Sequence, residues 1–237
     1  MQFRFTSIFI KLSLSSLLFF LNFFVMAQPT GLLYDPEPPV DSAYVRVVLA
    51  SREGVVDVMV DGRLRIQKLA LGEASEYMVL AAGKHTIAVH ATGKSTAYFS
   101  TAFDVARGRA MTLAFATLRA DTVPVVFEDK TNSNKLKALL AIYNLDTKIG
   151  ALDVLTADGN TKVFSAVAYG TSASIPVNPI SIDLIAVKVG DKVPQARTSL
   201  PMTQGGTYSI FLLSGDGGTL MAHALQNKIE RYTGKYK

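Results

Sequence analysis

The sequence of 237 residues contains no cysteine, no tryptophan and only three histidines. Without cysteine, the chain cannot form disulfides or thiolate zinc sites, and it has no thiol for a lipid anchor. Without tryptophan, it lacks the largest aromatic surface that all-β modules use to stack against sugar rings. The folded parts must therefore be stabilised by burial of apolar side chains alone.

The three histidines do not form a recognisable catalytic or metal-binding pattern. His85 and His90 are five residues apart, and in a regular strand such residues point to opposite faces, so we expect no shared metal. His85 follows "AAGK" and is interpreted as a turn residue, whereas His223 has no "HExxH" partner. No "GxSxG" or Gly-Asp-Ser block is present, and "LLSGDGGTL" at 212–220 is typical of a turn. We predict no catalytic residue, no cofactor and no metal.

Residues 1–27 have the composition of a secretory signal peptide. Arg4 and Lys11 accompany the apolar run "LSLSSLLFFLNFFV", and the small residues Val25 and Ala27 end the segment. The run is about 14 residues long, shorter than the roughly 20 of a membrane-spanning helix. An uncleaved membrane anchor is therefore the less favoured alternative, and we expect export to the periplasm with cleavage near Ala27.

The charge of the exported chain is modest. The sequence has 24 basic and 19 acidic residues, and loss of residues 1–27 removes two basic ones, which leaves a net charge of about +3. These charges are spread evenly, unlike the basic patches of nucleic-acid-binding proteins. We do not expect nucleic acid as a partner.

The sequence repeats itself at a spacing of 96 to 98 residues. "GVVDVMV-DG" at 54–62 aligns with "GALDVLTADG" at 150–159, and "IAVHATGK" at 87–94 aligns with "IAVKVGDK" at 185–192. A third pair, "TAFDVARGRAMTLAF" and "TSLPMTQGGTYSIFL", follows in the same order. Three ordered blocks at one spacing indicate two copies of one domain.

Each copy is predicted to consist of short β-strands. Alternating runs such as "AYVRVVL" and "VVDVMV" are separated by turn signals about every ten residues, which is typical of an antiparallel sandwich or barrel. The predicted fold is all-β, with two tandem antiparallel β-sandwich domains. The predicted segments are a signal peptide at 1–27, a proline-rich acidic strap at 28–42, sandwiches at 43–118 and 136–219, a linker at 119–135 whose "VPVVF" could dock or add an edge strand, and a short helix or tail at 220–237.

Two acidic residues, Asp57 and Asp153, occupy matching positions in the two copies. Each precedes the apolar end of a strand, and aspartate commonly binds backbone amides at turns. A catalytic pair of distant carboxylates is not excluded by spacing. Because the same acid is present in both copies, we interpret the two as structural partners of turns.

The strap is rich in proline and acidic residues and lies directly before the first strand. Its prolines restrict φ and bias preceding residues to extended conformations, so ordering on binding costs little. One interpretation is that the strap docks a partner protein. The other is that its apolar residues fold onto the first sandwich and cover its edge, and both can hold together. The candidate partner-binding residues are Tyr34, Asp35, Glu37, Pro38, Pro39 and Asp41.

Two stretches are distinctive: "LYDPEPPVDSAYVRV" at 33–47, and "FEDKTNSNKLKALLAIYNL" at 127–145 with the "DVLTADGNT" that follows. Together they resemble the AlgF family of alginate O-acetylation proteins. The resemblance implies a periplasmic adaptor with two β-sandwich domains, required for O-acetylation of the biofilm exopolysaccharide alginate. The implied partners are the periplasmic SGNH-type acetyltransferases AlgJ and AlgX and the membrane-bound O-acyltransferase.

Two other functions stay open on the sequence alone. A carbohydrate-binding module for an acidic polysaccharide would use basic residues, of which Arg46, Lys84, Lys94 and Lys188 are candidates, although the lack of tryptophan counts against it. An acyltransferase or esterase with an unfamiliar site is the third possibility.

Overall fold

The computed structural model describes residues 38–229, and these form sixteen β-strands. The strands of the first half are β1 (Ser42–Leu49), β2 (Val56–Val60), β3 (Arg63–Leu69), β4 (Met78–Ala81), β5 (Gly83–Ala91), β6 (Ala97–Val105), β7 (Ala110–Phe115) and β8 (Val125–Asp129). Those of the second half are β9 (Ala138–Asn144), β10 (Leu152–Thr156), β11 (Lys162–Val167), β12 (Ser172–Val177), β13 (Ser181–Lys188), β14 (Pro194–Pro201), β15 (Thr207–Ser214) and β16 (Leu220–Gln226). Across these described residues, no helix has the length and apolar character that a membrane crossing requires.

The strands form four sheets of four strands each, two per half. The first half contains the orders β4-β1-β7-β8 and β3-β2-β5-β6, and the second contains β12-β9-β15-β16 and β11-β10-β13-β14. Each strand of the second half thus takes the place of the strand eight earlier, which confirms the predicted all-β fold of two related sandwiches. The pairs β1–β7 and β9–β15 are parallel, and the other pairs are antiparallel as predicted.

Each sandwich has its own apolar core between its two sheets. The first core contains Val45, Val58, Ile87, Phe99 and Phe115 among others, and the second contains Leu140, Ile142, Leu152, Leu184 and Ile210. In both halves these residues alternate along strands, as expected where one face of a sheet is buried against another.

A third apolar cluster joins the two sandwiches. It contains Val48, Ala114 and Phe127 from the first half, and Tyr143 and Phe211 from the second. The sheets β4-β1-β7-β8 and β12-β9-β15-β16 therefore pack against each other through their outer faces. Strands β1, β7 and β9 are buried along their whole length, because both faces of their sheets are covered.

The two halves meet in an approximately two-fold arrangement. Gly72, in the loop before β4, lies against the ring of His223 on β16. Gly170, in the loop before β12, lies against Val125 on β8. Adding 98 to Gly72 gives Gly170, and adding 98 to Val125 gives His223. The same contact is therefore made twice with the roles of the halves exchanged, which is the defining property of an isologous interface.

Two segments outside the predicted sandwiches form strands: the linker adds an edge strand, as one interpretation of "VPVVF" expected, and the segment predicted as a short helix or tail is also a strand. Strand β8 lies within 119–135 and pairs with β7, so the first sheet continues to Asp129 rather than ending at residue 118. Residues 220–226 form β16 rather than a helix, because their apolar residues alternate toward the second core and the interface. The predicted signal peptide at 1–27 and residues 230–237 lie outside the described residues.

Asp57 and Asp153 stabilise matching β-bulges. The Oδ1 atom of Asp57 accepts a hydrogen bond from the backbone N–H of Lys68 at 2.9 Å, and that of Asp153 accepts one from Ala166 at 2.7 Å. Lys68 and Ala166 have φ of 55° and 51°, in the left-handed region that non-glycine residues rarely occupy. The interpretation of both acids as structural partners is confirmed: both bind amides at bulges, and Asp57 also accepts a hydrogen bond from the N–H of Gly93 in the turn after β5.

Replacement of Asp57 by alanine is expected to lower stability at pH 7 by about 1–2 kcal/mol, since the Lys68 and Gly93 amides lose a charged acceptor. Those amides lower the pKa of Asp57. A lowered folded-state pKa adds stability above the unfolded-state pKa of about 3.9, and this is lost as the pH falls through the folded value. The difference between variant and wild type should therefore shrink on acidification.

Urea unfolding at pH 7 and at acid pH measures this difference. Asp104→Ala is the control, because Asp104 is exposed on β6. Equal stability of Asp57→Ala and wild type at pH 7 would contradict the proposed role of this carboxylate.

Candidate functional site

The end of the strap is anchored to the first sandwich. The backbone N–H and the hydroxyl of Ser42 donate hydrogen bonds to the carbonyl oxygen of Pro39 at 3.1 and 2.6 Å. The Oδ1 atom of Asp41 accepts a hydrogen bond from Nη1 of Arg107 at 2.9 Å, and both side chains are exposed. Pro38 and Pro39 are half-buried. The strap therefore enters β1 in a defined direction beside the turn before β7.

The remaining candidate partner-binding residues, Tyr34, Asp35 and Glu37, lie outside the described residues. A role for the strap in partner binding stays a prediction.

The histidines are held in separate places. The ring of His85 is bonded through Nδ1 to Oδ2 of Asp61 at 2.6 Å and through Nε2 to the carbonyl oxygen of Ala81 at 2.8 Å. His90 lies opposite Asp57 in the β2–β5 pair, and His223 lies in the interface. Within residues 38–229, no three potential metal-ligating side chains come together.

A buried arginine occupies the contact between the sandwiches. Arg46, on β1, is only 1% exposed. Its Nε donates to Oγ1 of Thr112 at 2.8 Å, its Nη1 to Oδ1 of Asn227 at 2.8 Å, and its Nη2 to Oγ of Ser209 at 3.0 Å. The guanidinium therefore bonds to both halves of the chain.

The counter-charge is Asp129 on β8, whose Oδ2 lies 3.7 Å from Nε of Arg46. Oδ2 of Asp129 accepts hydrogen bonds from Tyr77 at 2.8 Å and Thr112 at 2.6 Å, and Oδ1 accepts one from Tyr143 at 2.6 Å. The guanidinium carbon of Arg46 also lies 4.8 Å from the ring centroid of Tyr77 and 5.7 Å from that of Tyr143. Both charges are thus compensated within a closed network, which we call the Arg46 network.

The Arg46 network is not suited to proton transfer near neutral pH. Burial raises the pKa of both Tyr77 and Tyr143, so the phenols stay protonated. Burial by itself lowers the pKa of Arg46, but the attraction of Tyr77, Asp129 and Tyr143 outweighs it and raises that pKa overall. Arg46 therefore stays charged, and the network works as an electrostatic clamp between the sandwiches.

Sequence reasoning missed this role of Arg46, which it grouped with possible polysaccharide contacts. The other three candidates, Lys84, Lys94 and Lys188, are exposed. The outer face of β1 carries Tyr44, Arg46 and Val48, and its arginine and tyrosine are typical of a strand that faces solvent. The outer face of β9, the corresponding strand of the second half, is largely apolar. That apolar face was the sequence signal that the outer faces of both sheets are covered.

A cavity of about 610 Å³, here named the outer cleft, lies on the outer face of the sheet β11-β10-β13-β14. Leu155, Ile185 and Val187 form its apolar part. Asp153 is bonded to Nζ of Lys162 at 2.5 Å. Although burial raises the pKa of Asp153, hydrogen bonds from Lys162 and Ala166 lower it overall, so this carboxylate is ionised and is a poor general acid.

A second cavity, of about 290 Å³, lies between the sandwiches and is here named the β8–β12 groove. Glu128 and Lys130 line it from the first half, and the second half contributes small side chains and the edge of an aromatic ring. The lining residues of the second half are Ala141, Tyr143, Ser172, Ala173 and Ser174.

Replacement of Arg46 by methionine is expected to destabilise the protein by about 3–5 kcal/mol, because it leaves Asp129 buried without its cation. Arg109→Met is the control, since the Arg109–Glu128 pair is exposed and such pairs contribute about 0–1 kcal/mol. The double variant Arg46→Met/Asp129→Asn should recover part of the loss. Urea unfolding measures all three, and a loss below 1 kcal/mol for Arg46→Met would contradict the clamp.

Comparison with known proteins places the chain in a family. A family model described as "Alginate O-acetyl transferase AlgF" matches residues 16–208. "Alginate biosynthesis protein AlgF" of Pseudomonas putida is 27% identical over 219 residues, which cover 91% of this chain and 93% of that protein. The protein of the same name from Pseudomonas fluorescens is 27% identical over 194 residues, which cover 79% of each chain.

One solved structure, the C-terminal domain of AlgF from P. aeruginosa, is 26% identical and covers 39% of this chain and 100% of that domain, with a TM-score of 0.33. A score this low does not define a common fold, so the assignment depends on the sequence matches. Because the family model covers most of the chain, the protein belongs to the AlgF family.

Proposed function

We propose that this protein is a periplasmic, non-catalytic adaptor that brings acetyl-transfer enzymes together for the O-acetylation of alginate. The family model and the names of the relatives support the connection with alginate and with acetyl transfer. The composition of residues 1–27 supports export, although this segment lies outside the described residues.

The adaptor role is supported mainly by one observation: the charged side chains that could have served in catalysis are instead bonded to groups that stabilise the fold. Arg46 and Asp129 are enclosed between the sandwiches, Asp57 and Asp153 bind bulge amides, and His85 is bonded to Asp61. An acyl-transfer site needs a nucleophile within hydrogen-bonding reach of a base. Among residues 38–229, the hydrogen bonds of histidine rings go to a carboxylate and a carbonyl, which favours binding over catalysis.

The stacking of the two sandwiches also favours this role. An adaptor must hold its partners at a defined separation, and a rigid body loses little conformational entropy when they bind. The third apolar cluster and the Arg46 network tie the halves together. The surfaces available to partners include the outer cleft of the second half, the β8–β12 groove and the strap end at Pro38–Asp41. The proposed partners are AlgJ, AlgX and the membrane-bound O-acyltransferase.

The experiment that tests the proposal is co-purification of the chain from residue 28 onward with tagged AlgJ and AlgX. We expect at least one of them to be retained, and we expect deletion of the gene to abolish acetyl groups on exported alginate. Absence of binding to the acetylation enzymes, together with normal acetylation in the deletion strain, would refute the proposal.

A second measurement separates an adaptor from an enzyme. Purified protein incubated with an activated acetyl ester is expected to show neither turnover nor a covalent acetyl adduct by intact-mass spectrometry. Stoichiometric acetylation of one serine or threonine, lost on its replacement by alanine, would show instead that the protein takes part in the transfer.

A further inference from the structure

The two ends of the interface between the sandwiches are related by the approximate two-fold arrangement, but different side chains occupy them. At one end, Arg46 and Tyr77 fill the space beside β16. At the other end, the β8–β12 groove is open.

Strand register identifies the residue that matches Arg46. Phe127 on β8 pairs with Thr112, and Thr112 pairs with Arg46. In the second half, Leu225 on β16, which is 98 residues after Phe127, pairs with Ser209, and Ser209 pairs with Ala141. The position of Arg46 on β1 therefore corresponds to Ala141 on β9.

The same register identifies the counterpart of Tyr77. Tyr44 pairs with Val79 on β4, and continuing this antiparallel register places Tyr77 opposite Arg46. Ala141 pairs with Ser174 on β12. An arginine and a tyrosine in the first half are thus replaced by an alanine and a serine in the second. Both small residues line the β8–β12 groove, so the groove is the space that a second arginine and tyrosine would fill.

The groove also contains a carboxylate that can accept hydrogen bonds from a cation. At the filled end, the chain carries Gln226 and Asn227, and Asn227 accepts a hydrogen bond from Arg46. The matching residues, 98 positions earlier, are Glu128 and Asp129. Asp129 is already bonded within the Arg46 network, so the groove presents one carboxylate, that of Glu128, where the filled end has the amide of Gln226.

Lys228 is the counterpart of Lys130, 98 positions later, and Lys130 itself lines the groove. Its ammonium lies 3.8 Å from Oε1 of Glu128, and Nη1 of Arg109 lies 2.8 Å from the same atom. All three side chains are exposed. Exposed pairs of this kind are weak and exchange easily, so Glu128 is available to an incoming donor.

From this asymmetry we infer that the β8–β12 groove receives an arginine side chain from a partner protein. The guanidinium would donate to Glu128 and to the hydroxyls of Ser172 and Ser174, with its stem against Ala141. This inference rests on the proposed adaptor function, and it adds the surface and the chemistry by which one partner is recognised. A planar guanidinium with five donors suits a carboxylate flanked by hydroxyls better than an ammonium does.

The first test is a titration of the isotopically labelled chain from residue 28 onward with three capped tripeptides, Gly-Arg-Gly, Gly-Lys-Gly and Gly-Glu-Gly. The arginine peptide should shift the amide signals of Ala141 and of residues 172–174 with a Kd of about the millimolar range, as expected for one side chain. The lysine peptide should bind several-fold more weakly. Stronger shifts with the glutamate peptide, or with an oligomannuronate, would overturn the inference.

The second test fills the groove with the residues of the first half. The double variant Ala141→Arg/Ser174→Tyr should fold with a Tm equal to or above that of wild type, since the matching site accommodates both side chains. It should lose the arginine-peptide shifts and bind the partner enzymes at least 10-fold more weakly. The matched control is Ser100→Tyr/Ala102→Arg, which adds the same side chains at exposed positions of β6 and should bind as wild type does.

The outcomes separate this inference from the proposed function. If wild type retains AlgJ or AlgX and the filled variant retains them equally well, the groove inference is wrong and the adaptor function stands. If the filled variant does not fold, Glu128→Gln tests the same surface, and an unchanged Kd for the arginine peptide would refute the inference. Binding that appears only after deletion of residues 28–37 would show that the chain itself occupies the groove, which also refutes it.

Discussion

The structure depends on the packing of two sheets, one from each sandwich, through outer faces that both carry polar residues. The outer faces of β4-β1-β7-β8 and β12-β9-β15-β16 are covered by each other, so Arg46 and Asp129 must be neutralised where water cannot reach them. A buried ion pair contributes little net stability, but removing one partner is costly. The Arg46 network therefore fixes how the sandwiches meet more than it adds to the stability of either one.

This constraint bears on the proposed adaptor function. A pair of sandwiches joined only by a flexible linker would present its surfaces at variable distances. Two sandwiches that share an apolar cluster and a charged clamp present the strap end, the outer cleft and the β8–β12 groove at fixed positions. The duplication also explains why one groove exists. An isologous interface has two equivalent ends, and substitutions in one copy close one end while the other stays open.

Much of the fold could be predicted from the sequence, because alternation, turn residues and the internal repeat are local signals. The roles of Asp57 and Asp153 followed from their duplication. The strand at 220–226 was predicted as a short helix or a tail, since its alternation is interpretable only with β15 beside it. Arg46 was misread for a related reason: the burial of the outer face of β1 is caused by residues about 95 to 180 positions away, and no local pattern reports it. The groove was not predicted because it arises where Ala141 and Ser174 stand at the positions of Arg46 and Tyr77, and this correspondence requires the strand register.

The central claim is that the two sandwiches move as one body. Residual dipolar couplings of backbone amides, measured separately for the strands of the first and of the second half, test it most directly. A single alignment tensor should fit both sets of couplings in the orientation that the structure gives. Two tensors of clearly different magnitude would show that the halves reorient independently, and would contradict the account.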